Sequence, residues 1–290
     1  MRKVYAESNL ESERMDKPLK FTVERKKCIQ CSACIRDCPR HIIEYRDHVP
    51  DIAAHLEGNC IGCQHCLAIC PTGAISVFGL HAENSLPLEV TPVVAPEALR
   101  LFVRGRRTMR QYRADDVARP LIDQLLADAA HAPTGGNTCD LTFTVVDTRR
   151  ALRRLLEELM SGVEQSIAEK PELPEFIRAA ITDYRQSNVD DVFRGAPHLL
   201  IASAGEKAYC GDADVVIALS YFELLAQSRG LGTTWCDFLK FILDLRPKMG
   251  SLFDIPMDRP YRAMLFGWPA VHYARTVQRD TTVQIKTIES

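Results

Sequence analysis

A chain of 290 residues with 46% hydrophobic and 26% charged residues is long enough for about two domains and apolar enough to bury their cores. Its formal net charge of -2 excludes a nucleic-acid partner held by bulk electrostatics, so any anion site has to be a local basic cluster. The opening MRKVYAESNLESERMDK has no apolar signal-peptide core, and no later run approaches the roughly 18 apolar residues that span a bilayer, which predicts a cytoplasmic protein with no membrane partner. In that compartment clustered thiols bind metal more often than they form disulfides.

Of the 11 cysteines, eight fall in two runs, CIQCSACIRDCP at 28–39 and CIGCQHCLAICP at 60–71, each cysteine of the second displaced by 32 residues from the first. In Cys28-x2-Cys31-x2-Cys34 three thiolates share one short loop, which can hold three corners of a cubane but cannot reach the fourth. Paired CxxC motifs also build zinc ribbons, yet a zinc ion needs four ligands and has no use for a third cysteine at the same short spacing, copied in tandem. The reading is therefore iron–sulfur. Residues 21–80 resemble a bacterial two-cluster ferredoxin, in which the last cysteine of each run ligates the other cluster. That resemblance implies one [4Fe-4S] cluster on Cys28, Cys31, Cys34 and Cys70 and a second on Cys60, Cys63, Cys66 and Cys38. The repeat continues in Ile29 with Ile61, Ile35 with Leu67 and Ile43 with Ile75, apolar pairs expected to shield the clusters, while His65 is expected on the solvent side.

Residues 1–20 read as a tail and 81–97 as a linker, the stretch GLHAENSLPLEVTPVVAPEAL at 79–99 carrying three prolines and little periodicity. Residues 98–290 read as a second, α+β domain. LIDQLLADAAHA (121–132) places Leu121, Leu125, Ala129 and Ala132 on one helical stripe, and a strongly apolar helix is expected over 214–232, ending near Gly230. Strands are expected at 141–147, 199–204 and 261–268. VRGRRTMRQYR (103–113) has five arginines in eleven residues. Arg106, Arg107 and Arg110 fall at helical i, i+1, i+4 spacing with Thr108 between them, a donor set suited to one phosphate. In HAPTGGNTCD (131–140) two glycines let backbone approach a ligand, and the Asn137 amide can both donate and accept.

Taken in order, these segments resemble the FMN-dependent nitroreductase family across most of residues 98–290. RRTMRQY is similar to its Arg-x-Ser-x-Arg phosphate motif, with Thr108 in place of the serine. APTGGNTCD is similar to its Ala-Pro-Ser-x-x-Asn-x-Gln-Pro-Trp turn, with Pro133, Thr134 and Asn137 in register and Cys139 and Asp140 where the family has Gln-Pro. GLGTTWCDF (230–238) resembles the loop beside the flavin ring, which brings in Cys236 and Asp237. FGWPAVHYARTVQR (266–279) resembles the closing segment, whose late arginine, Arg279, returns to the phosphate. The resemblance implies a central, mostly antiparallel sheet flanked by helices, bound FMN, a homodimer with the flavin at its interface, and two-electron reduction of small electron-poor molecules. No nucleophile–base pair stands out. His131, His198, Asp212 and Asp214 are candidate proton donors, and each reads more readily as a structural polar residue. Joined to a ferredoxin, such a domain is expected to take single electrons from a low-potential donor. NAD(P)H as donor with the clusters as outlet, and an electron-transfer module serving a partner enzyme, are the alternatives.

Overall fold

The computed structural model of the chain describes residues 18–86, 88, 94–169, 174–278 and 283–288. Its first unit contains β1 (Thr22–Val23), α1 (Ala33–Asp37), β2 (Ile43–Arg46), β3 (Val49–Ile52), α2 (His65–Ala68), β4 (Ile75–Val77) and β5 (Leu80–His81). β1, β4 and β5 form one antiparallel sheet, and β2 and β3 a hairpin. The duplicated sequence is a duplicated backbone. Gln30 and Ser32, at φ 55° and 59°, are left-handed, and 32 positions later so are Gly62 and Gln64, at 66° and 57°. A non-glycine residue in that region costs roughly 1–2 kcal/mol. Its recurrence at matched positions shows that both loops follow the same backbone path. Ile43, Ile75 and Leu67 are buried with Cys34 and Cys38 as expected, but Ile29 is 63% exposed and shields nothing within the chain. Most of the expected tail lies outside the described residues. Leu19 nevertheless belongs to the first unit, since it is buried and its carbonyl accepts the Phe78 amide at 2.7 Å.

The second unit opens with α3 (Pro96–Gly105), which begins in the last two residues of the expected linker; residues 87 and 89–93 of that linker lie outside the described set. There follow α4 (Arg119–Ala129), β6 (Leu141–Val146), α5 (Arg149–Glu169), α6 (Glu175–Ser187), β7 (His198–Ala204), α7 (Gly211–Ser228), β8 (Gly232–Trp235), α8 (Asp237–Leu245) and β9 (Tyr261–Gly267). The strands pair antiparallel in the order β6-β7-β9-β8. Both faces of this sheet are covered. Leu199 and Ile201 of β7 pack with Leu152, Leu156 and Leu159 of α5 and with α6 and α8, whereas Leu200 and Ala202 pack with Ile122 and Leu125 of α4 and Val215, Leu219 and Phe222 of α7. That two-sided burial explains why β7 is buried throughout and carries an unbroken apolar run, 199–202, instead of alternating. Among the described residues no helix is long and apolar enough to cross a membrane.

The arginine-rich segment departs from its expected form. α3 ends at Gly105, and residues 106–113 are extended along the free edge of β8: Thr108 bridges Thr233, the Met109 amide donates to the Thr233 carbonyl at 2.8 Å, and the Arg113 amide to Trp268 at 2.8 Å. The sheet edge takes precedence over helical spacing because β8 otherwise has unpaired backbone groups along that side.

The loop before β7 is held by a single carboxylate. Asp190 accepts the amides of Val192 at 3.1 Å, Phe193 at 2.7 Å and Gly195 at 2.9 Å. Asp190→Ala leaves these three donors without that partner and is expected to lower stability by roughly 2–3 kcal/mol, read as a lower urea midpoint at unchanged slope. An unchanged midpoint would show that water replaces the carboxylate at no cost.

Candidate functional site

The eight cysteines of the two runs converge from distant parts of the chain. Cys28, Cys31 and Cys34 line one void together with Cys70, and Cys60, Cys63 and Cys66 line another together with Cys38. The two voids are of equal size, about 20 Å³ each. Among the described residues no three His, Cys, Asp or Glu side chains come close enough to hold a single metal ion. A lone zinc, at about 2.3 Å from each sulfur, needs a tighter set than this. Four thiols ringing a void fit a cubane.

Burial pushes the thiols of Cys34 and Cys60 up, and neighbouring cysteines add to the effect, Cys70 and Cys31 on the first and Cys63 and Cys38 on the second. Cys66 is pushed up to about 12, again chiefly by burial. Cys70 is also raised by burial, but hydrogen bonds from the Ala74 amide, at 3.2 Å, and from Thr72 outweigh it, and its thiol lies below the ordinary value. Raised thiols are protonated near neutral pH, so metal capture by these quartets must release protons. His65 lies outside both quartets, 3.2 Å from Asp37 and exposed as expected.

In the second unit the arginines have separate neighbours. Arg106 reaches Glu223 of α7 at 3.2 Å, and Glu223 also accepts the Thr233 hydroxyl at 3.1 Å. The Arg107 guanidinium lies 5.9 Å from the Tyr273 ring centroid. Arg110 lines a cleft with Arg149, Arg153 and Arg194, a concentration of positive charge built partly by the α5 N-terminus. The RR and RR pairs at 149–150 and 153–154 carry that signal in the sequence, where the motif at 103–113 overshadowed it. Arg279 lies outside the described residues.

The turn at 133–139 is clamped from several sides. Asp214, at the start of α7, accepts the Gly135 amide at 2.9 Å, and the Thr134 hydroxyl accepts the Cys139 amide at 2.9 Å. A Cβ on Gly135 would meet Cys210 Sγ at 2.7 Å, and one on Gly136 the Tyr209 ring at 2.6 Å, so neither position has room for a side chain. Asn137 is left-handed, at φ 55°, and its Nδ2 donates to the carbonyl of Ile61, inside the second cysteine loop, at 3.1 Å. Beside this turn the buried Thr138 Oγ1 and Asp214 Oδ2 have no partner in the chain. These two buried, unpartnered polar atoms are the feature of the turn that fits a polar cofactor such as FMN.

The candidate proton donors separate by burial. His131 and Asp212 are exposed. His198 is fully buried, stacked on Phe266 at 4.8 Å, with Nε2 accepting the Val117 amide at 2.7 Å. Burial pushes its pKa down, so it is a neutral structural acceptor. Cys236 is buried, its thiol lies 3.5 Å from the Val192 carbonyl and is pushed up to about 12 by burial, and its amide donates to Ala263 at 2.8 Å. Asp237 begins α8 and is exposed.

Comparison with known proteins matches this geometry. The pattern described as the nitroreductase family covers residues 103–268, and that described as a 4Fe-4S dicluster domain covers 27–74. The fold is similar to a nitroreductase with bound FMN from Bacteroides fragilis NCTC 9343, with TM-score 0.54 and 20% identity over 67% of this chain and 100% of that one. It is similar also to a nitroreductase with bound FMN from Desulfitobacterium hafniense DCB-2, with TM-score 0.51 and 15% identity over 67% and 100%. At these identities the likeness establishes the fold. In sequence, an archaeal-type glutamate synthase [NADPH] from Dehalococcoides mccartyi is 39% identical over 116 residues, 39% of this chain and 23% of that protein. The chain thus spans less than a quarter of the glutamate synthases it matches. With the family pattern running from the extended arginine segment through the last strand of the four-stranded sheet, this chain belongs to the nitroreductase family and carries a ferredoxin-type 4Fe-4S domain ahead of it.

Proposed function

We propose that the chain is an iron–sulfur flavoprotein oxidoreductase of the cytoplasm. It takes electrons from a ferredoxin or another low-potential donor at two [4Fe-4S] clusters and delivers them at FMN to a small electron-poor molecule, a nitroaromatic, quinone or activated alkene. The observation that carries this reading is the pair of cysteine-ringed voids built into the same chain as a nitroreductase fold. FMN supplies two-electron reduction and the clusters single-electron exchange, which leaves binding and placement to the protein.

The first cluster is assigned to Cys28, Cys31, Cys34 and Cys70 and the second to Cys60, Cys63, Cys66 and Cys38. For FMN, Arg106, Thr108 and Arg110 are assigned as phosphate donors of the edge segment, with Arg107 and Arg279 adding positive charge. Pro133, Thr134 and Asn137 are assigned from the turn, and Cys236 and Asp237 from the end of β8. The FMN held by the structural relatives supports the same cofactor here.

The active form in this reading is a homodimer. α3 buries none of its residues, and Leu99, Leu101 and Val103 on it are 47%, 66% and 51% exposed. α7 is apolar on nearly every face, yet leaves Val216, Tyr221 and Leu224 at the surface. A helix of this kind is ordinarily covered on all sides, and a second copy covers both stripes.

Crossed ligation makes Cys70→Ser damage the cluster around Cys28, despite the distance in sequence. Iron content and the electron paramagnetic resonance of the reduced protein should show that cluster altered and its twin intact, and the reverse pattern would refute the assignment.

Charge-assisted hydrogen bonds contribute roughly 1.5–3 kcal/mol, so loss of Arg106 should weaken FMN binding about ten- to a hundredfold. Arg106→Ala also strands Glu223, and the measurement is therefore made on Arg106→Ala/Glu223→Gln. Parental FMN affinity in that folded double variant would place the phosphate elsewhere.

The donor is tested by anaerobic rapid mixing. Reduced ferredoxin should bleach the flavin of the intact protein quickly and that of a protein lacking both cysteine quartets slowly, with NAD(P)H slow on both. Fast NADPH reduction of the cluster-free protein would make the clusters an outlet.

A further inference from the structure

We propose that Asn137 is a positioning residue that clamps the second cysteine loop to the nitroreductase domain. The Cys38, Cys60, Cys63 and Cys66 quartet then faces the flavin turn, and the Cys28, Cys31, Cys34 and Cys70 quartet faces the external electron carrier. This rests on the reading above that both quartets hold clusters.

The duplication supplies its own control. Two loops of the same length and the same left-handed turns should be equally exposed if nothing distinguishes their surroundings. They are not. In the first loop Ile29 is 63% exposed and Gln30 and Cys31 are also exposed, while in the second Ile61 and Cys63 are half-buried and Gly62 is buried. The first loop is tied to its own unit, since the Tyr45 hydroxyl donates to the Gln30 carbonyl at 2.7 Å. Thirty-two residues on, the counterpart of Tyr45 is Val77, which has no hydroxyl to offer. The second loop is tied instead across the chain, where Asn137 Nδ2 meets the Ile61 carbonyl at 3.1 Å. Asn137 is itself fixed, because its turn is pinned by Asp214 on Gly135 and by Thr134 on Cys139. A short side chain on a pinned turn makes a stiff clamp.

The order of electron carriers follows. A carrier in solution loses one electron to the exposed cluster, which passes it to the clamped cluster, which passes it to the flavin, each cluster ending in the state in which it began. Two such passes with two protons from water complete one two-electron reduction.

The test uses the full-length protein loaded with iron, sulfide and FMN. Hydrogen exchange is followed in Asn137→Ala and in Tyr45→Phe. Asn137 gives the second loop one hydrogen bond, and Tyr45 holds the first at Gln30 and at the Ser32 hydroxyl, 3.0 Å away, so Asn137→Ala should speed exchange in residues 60–66 about fivefold and leave 28–34 as in the parent, while Tyr45→Phe should do the opposite. Equal or absent changes at 60–66 in a folded Asn137→Ala protein overturn the clamp. Cys31→Ala and Cys63→Ala, with iron content confirming loss of one cluster each, then separate the roles. After photoreduction of the remaining cluster, the Cys31→Ala protein should pass its electron to the flavin as fast as the parent and the Cys63→Ala protein more slowly, and the reverse ranking overturns the order. If the parent itself passes no cluster electron to the flavin while the exchange pattern holds, the clamp stands and the preceding functional reading fails.

Discussion

Four cysteines set around each of two voids are the constraint on which the first half of this molecule depends. Each ring takes three members from one loop and its fourth from the other run, so neither loop can close without its twin. This interlock explains why so small a unit, with two-residue strands such as β1 and β5, keeps a definite shape. A core of Ile43, Ile52, Leu67, Ile75 and Val77 lies between the rings, and clusters occupying the voids would complete its packing. The left-handed residues at 30, 32, 62 and 64 are the backbone cost of that winding.

The second half is stabilised differently, by a four-stranded sheet with helices on both faces, and its chemistry sits at the margins of that sheet. The extended arginine segment caps the β8 edge, and the Gly-Gly turn leads into β6. Both are irregular, side-chain-poor or edge features carried by a rigid frame, which is where ligands are commonly received. Asn137 joins the halves by reaching from the turn to the carbonyl of Ile61.

The cysteine rings were legible because the spacing of three thiols forces the fourth to come from elsewhere, and the helix and strands around β6, β7 and β9 were legible from apolar runs. Less could be read where tertiary pairing decides. Arg106, Arg107 and Arg110 fit helical spacing, but the unpaired edge of β8 draws them into an extended segment. Ile29 and Ile61 look equivalent in sequence, and only the docking of one loop makes them differ. The amide of Asn137 suits a flavin or a backbone carbonyl equally well, so its partner could not be chosen from composition. α5, α6 and the cleft arginines Arg149, Arg153 and Arg194 went unnoticed because their charged surface hides the buried stripe of Leu152, Leu156 and Leu159.

The central claim is spatial: one cluster stands between the other and the flavin. Crystals of the protein grown without oxygen with FMN bound, measured at the iron absorption edge, give the positions of both clusters directly. The account predicts two iron peaks, with the one enclosed by Cys38, Cys60, Cys63 and Cys66 nearer the flavin ring and within reach of the Asn137 turn. A nearer peak enclosed by Cys28, Cys31, Cys34 and Cys70 would contradict it.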